Sequence, residues 1–264
     1  MEPERRPEAD SVVVTEIFVS LQGESSHAGR VCAFVRLTGC HLRCTYCDSE
    51  YTFTGGERMK VDQVVAKVAG LGAKLVEVTG GEPLLQPGVY PLMDALLAAG
   101  HTVMLETSGA IDVRLVPAAV HKIVDLKTPS SGECAGNDYR VLDSMNGNDE
   151  LKFVIGDRTD YEWSRRMVRD RDLAAKPFGL LFSAVSGLLS STDLADWIVA
   201  DRLPVRFQLQ LHKLLWDPRP AASSYCPSAL RASSRCAGST RAWSRYSGKS
   251  FWDSVSYEAS SCSL

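Results

Sequence analysis

Short runs of β-branched residues alternate with helix-like segments over most of this 264-residue chain. The runs at 74–79, 101–107 and 121–127 have the composition of strands, and the segments at 61–70 and 90–100 have helical spacing. Such repeats predict a parallel sheet covered by helices, either an open doubly wound sheet or a barrel. About six units over ~200 residues fall short of the eight in a complete barrel. We therefore expect an α/β fold with a partial (β/α)6-type barrel, open on one side.

The same patterns extend the alternation toward both ends of the chain. They predict strands at 11–20, 31–37, 150–155, 179–185 and 205–212, and helices at 159–173 and 191–200. Beyond Pro218 no strand or helix period is found, and residues 219–264 hold 14 serines and three cysteines. One interpretation is a flexible serine-rich tail. Because Trp, Tyr, Phe and Cys are uncommon in such tails, the other is a non-native or frame-shifted segment. The predicted organisation is a disordered N-terminus at 1–11, a folded domain at 12–218 and this tail.

Composition restricts the partners of the protein. A net charge of −3 and a pI near 6.0 give no basic footprint for nucleic acid or an anionic membrane. The first ten residues, MEPERRPEAD, lack the apolar core of a signal peptide, and no apolar run approaches the ~18 residues of a transmembrane helix. We therefore expect a cytoplasmic protein with no nucleic-acid or membrane partner. In that compartment, eight cysteines indicate metal or redox chemistry rather than a disulfide framework.

Polar segments that contain glycine follow three successive predicted strands. They are TGGEP at 79–83, ETSG at 106–109 and DLKTPSSG at 125–132. Parallel α/β folds bind their ligands at the carboxyl ends of the strands. The three segments are therefore expected to lie around one site.

Cys40, Cys44 and Cys47 have the spacing C-x3-C-x2-C, which places three thiols within eight residues. Structural zinc needs four ligands, usually in two pairs, and the next cysteine is the distant Cys134. A thioredoxin-like redox pair of Cys44 and Cys47 is a second alternative. The third is an iron–sulfur cluster, in which three thiolates on a four-iron cube leave one iron open to a small molecule.

The C-x3-C-x2-C spacing, with Tyr46 before the last cysteine and GGEP at 80–83, resembles the radical S-adenosylmethionine (SAM) enzymes. The resemblance implies a [4Fe–4S] cluster on the three cysteines and SAM as a cofactor on the open iron. Reduction of the sulfonium would give a 5′-deoxyadenosyl radical that abstracts a hydrogen atom. The glycines at 80 and 81 would let the backbone approach the cofactor without an intervening Cβ.

Within that superfamily the chain resembles the 7-carboxy-7-deazaguanine synthase family over about 12–218. Gln22-Gly23-Glu24 precedes the cysteines, His212-Lys213 follows the last predicted unit, and CDSEYTF, TGGEPLLQ, ETSG and DLKTPSSG occur in the right order. The resemblance implies a lyase that converts 6-carboxy-5,6,7,8-tetrahydropterin to 7-carboxy-7-deazaguanine with loss of ammonia, in queuosine biosynthesis. It also implies Mg²⁺, a homodimer and an electron donor such as flavodoxin or ferredoxin. A glycyl-radical-enzyme activating protein and a non-catalytic iron–sulfur or zinc-binding module are the alternatives.

The same resemblance gives roles to individual side chains. It implies substrate contacts for Leu21, Gln22, Gly23, Arg36, Thr79, His212 and Pro218, SAM contacts for Tyr46, Cys47, Asp48, Gly81, Thr128, Pro129, Ser130, Phe182, Ser183, Ala184 and Val185, and a magnesium ligand in Ser49. An inward arginine without an anionic partner would be costly on the apolar strand at 31–37, which favours a substrate carboxylate as the partner of Arg36. In some family members a terminal proline supplies its carboxylate to the substrate, but here 46 residues follow Pro218.

Overall fold

The computed structural model describes residues 9–216, so Pro218 and the tail at 219–264 lie outside the described residues. The strands are β1 Ser11–Leu21, β2 Val31–Leu37, β3 Glu57–Lys60, β4 Leu75–Gly80, β5 Thr102–Thr107, β6 His121–Asp125, β7 Glu150–Ile155, β8 Gly179–Ala184 and β9 Arg206–Phe207. The helices are α1 Val61–Gly70, α2 Val89–Ala98, α3 Val141–Ser144, α4 Arg158–Asp170, α5 Ser191–Asp201 and α6 Leu211–Trp216. Among these helices, none is long and apolar enough to cross a membrane.

The described strands form one sheet in the order β3-β1-β2-β4-β5-β6-β7-β8-β9. All neighbours from β2 to β9 pair in parallel, whereas β1 pairs antiparallel with both β2 and β3. The sheet ends at β3 on one side and at β9 on the other, so it does not close on itself. This arrangement confirms the predicted α/β fold with an open, partial barrel.

The two faces of the sheet carry different side chains, because successive residues of a strand point to opposite faces. On β4, Val76 and Val78 belong to the main core, together with Val64 of α1 and Leu92 of α2. Leu75 faces the other way, into a smaller apolar cluster inside the barrel that also contains Cys32, Phe34, Met104 and Ile123. Further along the same inner face the side chains become polar, and a cavity begins there.

The predicted strand at 205–212 is wrong beyond Phe207. β9 pairs with β8 over two residues, after which the chain turns and α6 begins at Leu211. The physical reason is that the following backbone donors find partners outside a β-ladder. Gln208 N still donates to Phe182 O at 2.9 Å, but Leu211 N donates to Gly23 O at 3.0 Å. His212 and Lys213 therefore lie on a short helix.

Two connections also depart from the predicted alternation. No α-helix lies between β5 and β6 in the described chain, and the short edge strand β3, which pairs with β1, had not been expected. At the N-terminal end, β1 begins at Ser11, and residues 1–8 lie outside the described residues.

Candidate active site

A cavity of about 610 Å³ opens where the parallel strands end. Its wall includes the ends of β4, β5 and β6, the segment that contains the three cysteines, and part of α6. Fourteen of the residues predicted for the site line it: Leu21, Gln22, Gly23, Arg36, Cys40, Cys44, Tyr46, Cys47, Asp48, Ser49, Thr79, Gly81, Val185 and His212. The fold thus brings together residues that lie up to 191 positions apart in the sequence.

The three cysteines are half-buried and carry no disulfide. Burial raises the pKa of all three thiols, that of Cys44 to about 11, so binding a metal there releases protons. Among the described residues, no three His, Cys, Asp or Glu side chains converge on a single metal ion. A four-iron cube needs no such convergence, because each thiolate binds a different iron. The donor set therefore fits a cluster.

The glycines of TGGEP pack directly against the segment that contains the cysteines. A Cβ added at Gly81 would collide with the carbonyl of Gly39 and approach Cys40, and one at Gly80 would collide with the backbone of Leu37. Glu82 N also donates to Gly39 O at 2.8 Å. Glycine is required here because a second backbone passes within contact distance, and the two motifs form one unit.

Glu82 joins this unit to ETSG at the end of β5. Its side chain is fully buried and accepts from Thr107 Oγ1 at 2.9 Å, from Ser108 N at 2.7 Å and from Leu84 N at 2.9 Å. No role was predicted for Glu82 from the sequence. The only sequence feature that could have indicated its role is its acidic side chain between the glycines and the proline of TGGEP.

Two buried polar atoms of the cavity wall have no hydrogen-bond partner among the described residues. They are Ser108 Oγ and Asp125 Oδ1, while the other oxygen of Asp125 pairs with Lys127 Nζ at 2.8 Å. Buried polar atoms normally have partners, so these two are available to a polar ligand. A cofactor with amino, carboxylate and hydroxyl groups, such as SAM, fits that requirement.

Six residues predicted to bind SAM lie behind the cavity wall instead of lining it, namely Thr128, Pro129, Ser130, Phe182, Ser183 and Ala184. The ring of Phe182 packs on the helix side of the sheet, 5.2 Å from the ring of Phe153. Ser183 is buried, and its hydroxyl has no partner within the described chain. Any contact of Phe182 with a ligand in this cavity would have to use its backbone.

The segment at 128–130 supports the cysteine-containing segment from behind. Thr128 Oγ1 lies 3.1 Å from the hydroxyl of Tyr46, and Thr45 Oγ1 donates to Ser130 O at 2.7 Å. Ser130 N in turn donates to the buried carboxylate of Asp160 at 2.8 Å, at the start of α4. The first turn of α4 thereby fixes the position of Tyr46.

Arg36 has an anionic partner within the protein, so the burial of its charge does not by itself require a substrate carboxylate. Its Nε donates to Glu16 Oε1 at 2.8 Å, and Tyr51 donates to the same oxygen at 2.9 Å. Glu16 and Arg36 are opposite each other in the β1–β2 pair, a register that the sequence does not specify. The guanidinium has four further N–H donors, and Arg36 lines the cavity.

Five charged or polar side chains deep in the cavity were not predicted as a group. Lys152 forms ion pairs with Glu24, at 2.9 Å, and with Glu106, and Gln22 donates to Glu77. Burial, followed by repulsion from Glu106 and Glu24, raises the pKa of Glu77 well above its ordinary value. The sequence feature that could have pointed to this group is the charge of Lys152 in the middle of the apolar strand ELKFVI. A fully buried lysine requires anionic partners.

Helix α6 holds His212 over the start of the segment that follows β1. Leu211 N donates to Gly23 O, and a Cβ added at Gly23 would collide with the ring of His212. Lys213 Nζ lies 2.9 Å from Asp48 Oδ2, which ties the same helix to the segment after Cys47. His212 was predicted on a strand, and the helix brings it to the cavity instead.

Ser49 lines the cavity close to Asp48, and its hydroxyl donates to Asp48 Oδ1 at 3.0 Å. Mg²⁺ prefers oxygen ligands and commonly takes only one or two from the protein, with water and substrate oxygens completing its coordination. The pair of oxygen side chains therefore fits a magnesium ion in its donor chemistry.

Comparison with known proteins identifies the family. Residues 34–167 match the Radical SAM superfamily. Over 221 residues the chain is 48% identical to the 7-carboxy-7-deazaguanine synthase of Koribacter versatilis, which covers 78% of this chain and 97% of that protein. The chain belongs to the 7-carboxy-7-deazaguanine synthase family of radical SAM enzymes. The protein of the same name from Chlorobaculum tepidum is 44% identical over 209 residues, covering 78% of this chain and 94% of that one.

The comparison with solved structures agrees with the open α/β fold. The crystal structure of QueE from Escherichia coli superposes with a TM-score of 0.63 at 24% sequence identity, covering 76% of this chain and 95% of that chain. As a radical SAM enzyme of this family, the protein is a lyase that acts on a small molecule, uses a [4Fe–4S] cluster and SAM, and requires a reductant. The predicted family, fold, enzyme class and these two cofactors are thereby confirmed.

Proposed function

We propose that this enzyme converts 6-carboxy-5,6,7,8-tetrahydropterin to 7-carboxy-7-deazaguanine with loss of ammonia, a step in queuosine biosynthesis. The observation that carries the proposal is the meeting of three distant segments at one cavity: Gln22-Gly23 after β1, the three cysteines after β2, and His212 on α6. Two relatives that align with 78% of this chain carry the name of this activity. An activating enzyme for a glycyl radical, or a non-catalytic module, would not need the first and third segments.

The protein binds and orients the pterin through groups of opposite polarity. Leu21, Gln22, Gly23, Thr79 and His212 line the part of the cavity that we assign to the ring system. The remaining N–H donors of Arg36 suit the carboxylate of the substrate, since a guanidinium pairs with it in two parallel hydrogen bonds. Glu16 and Tyr51 hold the guanidinium in place for that contact.

Cys40, Cys44 and Cys47 would hold the cluster, and Ser108, Asp125 and Gly81 would contact SAM beside it. When bound and reduced, these cofactors supply a 5′-deoxyadenosyl radical. The side chains that line the cavity would limit the access of water and of alternative hydrogen atoms to the reacting atoms. In our proposal Thr128, Pro129, Ser130 and the segment at 182–184 act mainly by supporting Tyr46 and the wall, and Ser49 with Asp48 supplies oxygens to Mg²⁺.

We also propose a cytoplasmic homodimer that receives its electron from flavodoxin or ferredoxin. The folded catalytic domain comprises residues 12–218, and the role of Pro218 is tested by a variant that ends there. Higher activity of that variant than of the full chain would show that residues 219–264 impair the enzyme. Equal activity would show that the carboxylate of a terminal proline is not required.

Anaerobic reconstitution with iron and sulfide tests the proposed function. We expect a brown protein that cleaves SAM on reduction and forms 7-carboxy-7-deazaguanine when the carboxytetrahydropterin is added, with SAM regenerated. Cys44→Ala should lose both the cluster absorbance and turnover, whereas Cys134→Ala, a free cysteine outside the cavity lining, should retain both. A colourless zinc-loaded protein, or a brown one that leaves the pterin unchanged, would refute the proposal.

A further inference from the structure

A buried lysine lies in the floor of the cavity, and the roles proposed above do not use it. Lys152 projects from β7 with 4% of its side chain exposed, and its Nζ lies 2.9 Å from Glu24 Oε2. The same ammonium forms an ion pair with Glu106 Oε1. It therefore joins β7 to β5 and to the segment that follows β1.

The two carboxylates differ in what they offer to the cavity. Glu24 is engaged through both oxygens, because Gln210 Nε2 donates to its Oε1 at 2.8 Å. Glu106 keeps 29% of its side chain exposed, and its Oε2 has a contact with Thr79 Oγ1 at 3.5 Å, which is long for a hydrogen bond. Glu106 thus presents one oxygen to the cavity while Lys152 holds the other.

Lys152 and Glu106 each favour the ionised form of the other. Burial alone lowers the pKa of Lys152, but Glu106, Glu24 and Asp125 together raise it well above its ordinary value. Burial likewise raises the pKa of Glu106, yet Lys152 outweighs that effect and the net shift is downward. An ionised carboxylate accepts stronger hydrogen bonds than a neutral one, so the ammonium maintains Glu106 as a strong acceptor.

We propose that Lys152 is a positioning residue that holds Glu106 Oε2 in place to accept a hydrogen bond from an N–H group of the bound pterin. The inference rests on the proposed function, because the pterin is taken as the ligand. A pterin carries amide and amine N–H donors on its rings and, in this substrate, a carboxylate. Arg36 and Glu106 would bind groups of opposite polarity and so fix the orientation of the rings in the cavity.

Lys152→Met tests this role, because methionine keeps an unbranched chain but removes the charge. Lys122→Met is the matched control. Lys122 is also buried, pairs with Asp149 Oδ2 at 2.9 Å, and lies on the neighbouring strand β6, but it does not line the cavity. Lys152→Met loses two buried ion pairs and Lys122→Met loses one, so both variants should lose stability. Only Lys152→Met should lose affinity for the pterin.

Equilibrium binding of the carboxytetrahydropterin and of SAM is measured separately on the reconstituted protein. In Lys152→Met we expect the Kd of the pterin to rise at least about tenfold, as for a lost hydrogen bond to a charged group, with the Kd of SAM unchanged. Glu106→Gln should weaken pterin binding in the wild-type background and have much less effect when Lys152 is already replaced. Such non-additivity is expected of residues that act through one another.

Several results would overturn the inference. One is equal pterin affinity in Lys152→Met and Lys122→Met, a second is weaker SAM binding with unchanged pterin binding, and a third is simple addition of the effects of Lys152→Met and Glu106→Gln. If Lys152→Met does not fold, Lys152→Arg, which keeps the charge, should bind the pterin at least as tightly as Glu106→Gln, and weaker binding would overturn it. A wild-type protein that binds no pterin refutes the proposed function as well, whereas pterin binding that is insensitive to Lys152 refutes this inference alone.

Discussion

At the scale of single residues, Glu82 has the most consequential unpredicted contacts. Replacement by alanine leaves the donors of Leu84, Thr107 and Ser108 without their acceptor in a fully buried place. We expect Glu82→Ala to lower the free energy of unfolding by about 3 kcal/mol, since each buried donor left unsatisfied costs about 1–3 kcal/mol. Urea denaturation of the protein without cofactors measures this. Glu57→Ala, on the exposed end of β3, is the control and should change stability little; an equal loss in both variants would contradict the prediction.

The residues that the sequence predicted best are those whose chemistry is contained in a short segment. Cys40, Cys44 and Cys47 were singled out because their three thiols lie within eight residues, and the fold places all three at one cavity. Lys152 and Glu24 lie 128 positions apart and meet only through the order of the strands, so neither could be paired in advance. The pairing of Arg36 with Glu16 could not be predicted for the same reason, because it depends on the β1–β2 register.

At the scale of elements, β-strands and long helices were predicted well because their patterns span many residues. β7 occupies the predicted residues, and α4 begins one residue earlier than expected and ends at Asp170. The end of the fold was not predicted well: VRFQLQLH has a strand pattern, but tertiary hydrogen bonds override it. Short elements such as β9 and α6 are decided by their neighbours, which local patterns do not contain.

The segment between β1 and β2 is fixed by Glu150, at the amino end of β7. Its carboxylate accepts from Ser26 N at 3.0 and 3.1 Å and lies 3.0 Å from His121 Nε2. Burial raises the pKa of Glu150, but the hydrogen bonds from His121 and Ser26 outweigh it and the net shift is below the ordinary value of 4.5. A carboxyl group with a lowered pKa contributes stability above its unfolded-state pKa and loses it as the pH falls through its folded-state value.

Glu150→Gln should therefore have a pH-dependent effect. Above about pH 5 the wild type is expected to be more stable than the variant by a constant amount. Below pH 4.5 the difference should shrink, since the wild-type carboxylate becomes protonated. Denaturation curves of both proteins between pH 3 and pH 7 would measure it. A stability difference that does not change with pH would show that the charge of Glu150 does not fix this segment.

At the scale of the whole molecule, the cavity is completed by two segments from opposite ends of the described chain. The start of the segment after β1 and the helix α6 touch through Gly23 and His212, where a Cβ at Gly23 would collide with the histidine ring. No further strand lies beside β9 in the described chain, and α6 follows β9 to make this contact. The placement of His212 in the cavity wall beside Gly23 thus depends on the absence of one side chain.

Gly23→Ala is expected to displace His212 and to weaken pterin binding about tenfold or more, since a misplacement of about 1 Å in an active site can cost up to 10²-fold. SAM cleavage in the absence of the pterin should stay near the wild-type level, because the cysteines and the TGGEP glycines are untouched. Gly70→Ala is the matched control: it ends α1, and an added Cβ there meets nothing within 4 Å. Binding titrations measure the Kd of the pterin in both variants. Unchanged pterin affinity in Gly23→Ala would mean that α6 can shift without consequence and that His212 takes no part in binding.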